Sequence, residues 1–89
     1  PGLVVGRGSE ADIRINDPGV SRRHAQFLIT TGAAAGPSGL QIEVHDMGST
    51  NGIRVDGQKV SRAALRNGTR VQIGHTSLTV RLVEGGAGV

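Results

Sequence analysis

Residues 53–60 read Ile-Arg-Val-Asp-Gly-Gln-Lys-Val. Two short alternating runs, Ile53–Val55 and Gln58–Val60, flank Asp56-Gly57, a pair that accepts the positive φ of a two-residue hairpin turn. Side chains two positions apart share one face of a strand, so the stretch predicts an antiparallel hairpin with one buried face. The same period continues outward in both directions. Val71 and Ile73 flank Gln72, and Leu78, Val80 and Leu82 alternate with Thr79 and Arg81. Upstream, Ile13 and Ile15 flank Arg14, Ala25, Phe27 and Ile29 alternate with polar neighbours or Leu28, and Leu40, Ile42 and Val44 alternate with Gln41, Glu43 and His45. Leu3-Val4-Val5 reads as a further, more fully buried strand.

Turn signals separate these runs: Asp17-Pro18-Gly19, Asn51-Gly52 and Asn67-Gly68. Residues 31–39, Thr-Gly-Ala-Ala-Ala-Gly-Pro-Ser-Gly, carry no charge and read as an exposed loop tip. One helical turn is expected near Arg62–Arg66. Residues 1–84 are expected to form one domain and residues 85–89 a flexible tail. Many short strands joined by Gly-rich turns predict an all-β, antiparallel β-sandwich.

Composition narrows the function. The chain has 89 residues, 36% of them hydrophobic, with a single aromatic residue, Phe27, so the core must be thin and built from Val, Ile and Leu. With no Cys, disulfides and thiolate metal sites are excluded. No apolar run approaches the length of a membrane span, and no targeting segment is evident, so a cytoplasmic domain with no membrane contact is expected. The net charge is +3, and the cations are nine Arg and one Lys, Lys59. A planar guanidinium fork suits phosphate or carboxylate oxygens, so an anionic partner is indicated.

Several chemistries lack their residues. Gly6-Arg7-Gly8 begins a dinucleotide-like pattern, but Ala11 occupies the third glycine position and no amphipathic helix follows. His24, His45 and His75 have no metal-ligand spacing, so neither metal nor cofactor is expected. Ser21, His24 and Asp46 are the residue types of a hydrolase triad without a nucleophile elbow, and the chain is not expected to be an enzyme. Single-stranded nucleic acid needs aromatic stacking platforms and duplex DNA a groove-reading element, so nucleic acid is not expected either.

Three segments remain: Gly6-Arg7, Ser21-Arg22-Arg23-His24, and Asp46-Met47-Gly48-Ser49-Thr50-Asn51-Gly52. Each falls at a strand end or in a loop. Together they hold guanidinium forks, hydroxyls and an amide, which would form a phosphate cradle if the loops converge. This order of GR, SxxH and GSTNG, followed by Leu65-Arg66-Asn67-Gly68-Thr69-Arg70-Val71-Gln72-Ile73-Gly74, resembles the signature of the forkhead-associated (FHA) family. Thr69 stands where that family commonly has Asp. The resemblance extends from Leu3 to about Leu82, and is strongest to domains of actinobacterial signalling proteins downstream of Ser/Thr protein kinases.

The resemblance implies an FHA/SMAD-like sandwich whose loops at one end bind a phosphothreonine-containing protein or peptide, a Ser/Thr kinase or its substrate. It implies that Arg7, Ser21 (through hydroxyl and backbone amide), Arg22 and Thr50 contact phosphate, and that Asn51 bonds the peptide backbone. Gly6, His24, Gly48 and Gly52 then shape the loops, with His24 a buried imidazole satisfying backbone groups. Asp46 is expected to brace its loop, because a carboxylate in a phosphate site would repel the ligand. Arg23 stays undecided between ligand and background charge. The family's first strand is expected to be missing ahead of Leu3, which leaves open a monomer or a strand-exchanged or edge-associated dimer. A scaffold that associates through a sheet face or edge without phosphate is the alternative function.

Overall fold

The computed structural model describes residues 2–31 and 40–81. Most of the 31–39 loop, Leu82 and the 85–89 tail lie outside the described residues. Among the described residues there is no helix, and nine strands form two sheets.

The first sheet contains β1 (Gly2–Gly6), β2 (Ile13–Arg14), β3 (Ala25–Thr31), β4 (Leu40–Asp46) and β7 (Arg62–Leu65), in the order β2-β1-β3-β4-β7. The second contains β5 (Ile53–Val55), β6 (Gln58–Val60), β8 (Arg70–Ile73) and β9 (Thr76–Thr79), in the order β6-β5-β8-β9. Pairing is antiparallel throughout except for the short parallel β1–β2 contact, Val5 opposite Ile13 and Gly6 opposite Arg14.

The hairpin expected over Ile53–Val60 is present. Ile53 faces Val60 and Val55 faces Gln58, and the turn places Asp56 at φ 49° and Gly57 at φ 84°. Alternation sorts the side chains as the period requires. Val5, Ala25, Val44 and Leu65 of the first sheet meet Ile53, Val71 and Ile73 of the second, with Val20 inserted from a loop. Phe27, Ile42, Val55 and Leu78 pack around them, half-buried. Burying a branched aliphatic side chain of this kind stabilises by roughly 1.5–3 kcal/mol.

Two expectations are corrected. Residues 62–65 form strand β7, not a helical turn, pairing Ala63 with Val44 and Leu65 with Ile42. A segment this short cannot nucleate a helix from local propensity, whereas β4 offers it a complete row of hydrogen bonds. Its burial alternates accordingly, Leu65 buried and Arg62 and Ala64 exposed. The strand expected at Leu3-Val4-Val5 is present, but it is not fully buried: Val5 is 0% exposed and Leu3 43%. Leu3 pairs with Phe27 on the inner face, near the end farthest from the loops described next.

Candidate functional site

Three segments that are far apart in sequence meet at one end of the sandwich, and named hydrogen bonds hold them together. Strand β1 ends at Gly6, and the chain then runs beside residues 21–22: Arg7 N donates to Ser21 O (2.9 Å) and Gly8 N to Arg22 O (3.0 Å). A Cβ on Gly6 would stand 2.1 Å from Arg22 O, so only glycine permits this approach. The 47–52 loop joins from the other side, with Thr50 N donating to Ser21 Oγ (3.1 Å) and Asn51 Nδ2 to Gly19 O (2.9 Å).

His24 ties all three segments from behind. It is fully buried, and its own N–H donates to Val5 O (2.9 Å) while its carbonyl accepts from Met47 N (2.9 Å). Ser21 N donates to Nδ1 (3.0 Å), so the ring proton sits on Nε2 and is donated to Gly52 O (2.6 Å). The 47–52 loop is braced internally as well. Asp46 Oδ1 accepts from the Ser49 hydroxyl and backbone N–H, and Ser49 Oγ accepts from Gly52 N (2.9 Å). Gly48 (φ 75°) and Gly52 (φ 74°) supply the two left-handed positions this loop requires.

A second carboxylate performs the same service for the other loop, at Asp17-Pro18-Gly19, where the sequence signals only a turn. Asp17 is 7% exposed. It accepts from Gly19 N (2.8 Å), His75 N (2.8 Å) and Thr76 Oγ1 (2.8 Å), with His75 Nδ1 at 3.3 Å. The Gly19 amide, followed by the Thr76 hydroxyl and the His75 amide, lowers its pKa from 3.8 to about 2. The bond anchors residues 17–19 to the β8–β9 turn, and Gly19 in turn receives Asn51. His75 and Thr76 lie some 58 residues from Asp17, so nothing local signals the contact.

In front of this bracing lies an open cleft of about 740 Å³, lined by Arg7, Glu10, Pro18, Gly19, Val20, Ser21, Arg22, Arg23, Thr50 and Asn51. Arg7, Arg22, Arg23, Thr50 and Asn51 are exposed, and Ser21 is half-buried. The structure therefore brings together every residue expected to contact phosphate, and adds Arg23. Among the described residues, no ion pair or hydrogen bond engages the guanidinium of Arg7 or Arg23, and Arg22 has only a 3.8 Å approach to Glu10. Ser21 Oγ accepts from Thr50 N, which leaves its hydroxyl proton for an external acceptor. Its backbone N–H points instead at His24, so the amide role expected for Ser21 is not available in this arrangement. Three guanidinium groups and a hydroxyl donor around an open cleft suit a multiply charged oxyanion.

Comparison with known proteins is consistent with this geometry. The sequence profile described as FHA domain matches residues 3–74. The glycogen accumulation regulator GarA of Mycolicibacterium smegmatis is 40% identical over 74 residues, 83% of this chain and 42% of that protein. The chain thus spans about two-fifths of that relative. A solved structure concerned with phosphothreonine-dependent FHA domain interactions superposes with a TM-score of 0.76 at 32% identity, covering 92% of this chain and 77% of that one. Mycobacterium tuberculosis EmbR, solved in complex with a low-affinity phosphopeptide, superposes at 0.77 with 25% identity, covering 94% of this chain and 20% of that one.

Proposed function

The chain belongs to the FHA family, and from that premise we propose that it is a non-catalytic module that binds phosphothreonine-containing segments of proteins in Ser/Thr kinase signalling. One observation carries the proposal: Arg7, Ser21, Arg22 and Thr50 line one cleft at the sandwich end, with the Arg7 guanidinium unpaired by any described residue. In this reading Arg7 and Arg22 grip phosphate oxygens, the Ser21 hydroxyl donates a further bond, and Thr50 closes the near side. Asn51 uses one amide N–H on Gly19 O and keeps the rest of its amide for the peptide backbone. His24, Gly6, Gly48 and Gly52 hold the loops in place. The reading puts the domain in the cytoplasm, where protein kinases find ATP. Among the described residues no helix is long and apolar enough to cross a membrane.

The test is a titration with one peptide, with and without phosphate on its threonine. Binding is expected only for the phosphorylated form, and phosphothreonine is expected to exceed phosphoserine by about 1 kcal/mol, the value of seating one methyl group. Equal binding of both peptides, phosphorylated or not, would overturn the proposal and favour the alternative of a scaffold joined through a sheet face or edge.

A further inference from the structure

The cleft contains one carboxylate, that of Glu10, among residues otherwise cationic, neutral or apolar. It is unlike the other acidic groups of the loops around it. Asp12 accepts from Val4 N (2.8 Å), Asp17 braces residues 17–19, and Asp46 braces residues 46–52. Glu10 makes no hydrogen bond with a described residue. Its Oε1 lies 3.8 Å from Arg22 Nη2, with the two side chains 54% and 76% exposed. An ion pair that long lacks a hydrogen bond, and at such exposure it contributes little to folding. Toward a phosphate dianion, however, Glu10 is a liability: it repels the ligand and competes for Arg22.

We propose that Glu10 is a specificity-determining residue, which selects phosphothreonine segments carrying a Lys or Arg side chain close to the phosphothreonine. The proposal rests on the phosphothreonine reading above. A ligand cation beside Glu10 replaces its pairing with Arg22, frees that guanidinium for phosphate, and cancels the repulsion. A ligand carboxylate at the same place meets Glu10 directly and is rejected, so one residue supplies both attraction and exclusion. The spacing suits this. A phosphate held by Arg22 lies on the order of 7 Å from Glu10, and an extended peptide advances about 3.3 Å per residue, so the selected cation lies within about two or three residues of the phosphothreonine.

The experiment titrates phosphothreonine peptides that carry Lys, Ala or Glu at each flanking position in turn, against the wild type, Glu10→Gln and Glu10→Lys. The wild type is expected to favour Lys over Ala at one position by about two- to fivefold, the range of an exposed ion pair. Glu10→Gln should abolish that preference and bind the Ala peptide more tightly, and Glu10→Lys should invert it toward Glu. A wild type indifferent to flanking charge, or the same preference in all three proteins, overturns the proposal while leaving the phosphothreonine reading intact. Failure to distinguish any phosphorylated peptide from its unphosphorylated form removes that reading and the proposal with it.

Discussion

The side chains facing the cleft and those directly behind it come from the same loops, yet they are used in opposite ways. In front, Arg7, Arg22, Arg23, Thr50 and Asn51 are exposed, and the guanidinium groups have at most one weak partner among the described residues. Behind, His24 and Asp17 are buried, and their polar contacts brace their own loops and tie them to others. No buried side-chain nitrogen or oxygen among the described residues lacks a partner. The contrast separates two costs. Unpaired cations at the surface remain hydrated and cost the fold little, whereas an unpaired polar group in the interior would cost about 1–3 kcal/mol. Uncommitted charge therefore sits in front, supported by a fully satisfied layer.

The sharpest break in this division is at Gly6, which belongs to the supporting layer without any side chain. Gly6→Ala places a methyl group 2.1 Å from Arg22 O and must push β1 away from residues 21–22. A loss of about 3 kcal/mol in stability is expected, the upper range of overpacking, together with loss of phosphopeptide binding. Urea denaturation measures it, and an unchanged midpoint would show that the two segments are not held at this distance.

His24→Ala comes next. It strips partners from Ser21 N and Gly52 O and leaves a void, so stability should fall by roughly 2–3 kcal/mol. Binding should decline only with the order of the loops. A variant that keeps its stability but no longer binds would move His24 from the supporting layer to the front.

Arg7→Ala should do the converse. With no described partner for its guanidinium, the thermal midpoint should barely move, while binding weakens by about 2 kcal/mol, near thirtyfold, on loss of a charge-assisted contact. Calorimetry and a thermal melt on the same sample separate the two. Early melting with binding intact would make Arg7 structural.

Acid titration gives the smallest effect but divides the layers most cleanly. The ligand's phosphate has a second pKa near ~6, so affinity should fall as pH drops through that value while the domain stays folded. Asp17 acts lower. Its folded pKa, about 2, lies below the ordinary 3.8, so its stabilisation is complete above the ordinary value and is lost as pH falls toward 2. The stability difference between wild type and Asp17→Asn should hold steady above about pH 5 and shrink from about pH 4 downward. If the difference is the same at all pH values, the carboxylate charge is not what anchors residues 17–19 to the β8–β9 turn.

The cleft-facing half of the site was more legible in the sequence than the supporting half. Arg7, Ser21, Arg22, Thr50 and Asn51 lie in short segments whose residue types already suggest an oxyanion cradle. Asp17 looked like an ordinary Asp-Pro-Gly turn, because the amides it serves belong to residues 75 and 76. Glu10 carried no signal at all, since a surface carboxylate becomes notable only once three arginines are seen around it. The missed β7 is the same lesson in the fold: Arg-Ala-Ala-Leu has local character suited to a helix, and only the edge of β4 makes it a strand.

What the sequence by itself determined is most of the strands, β7 excepted, and the faces they bury, because a period of two acts between neighbours along the chain and needs no knowledge of the fold. Turn chemistry, as at Asp56-Gly57, is equally local. Only the tertiary structure decided which loops meet, that Asp17 serves residues 75 and 76, and that Glu10 stands in the cleft without a hydrogen bond to a described residue. Those outcomes depend on distances between residues tens of positions apart, and in a buried site each hydrogen-bonding group engaged by one partner is withdrawn from every other.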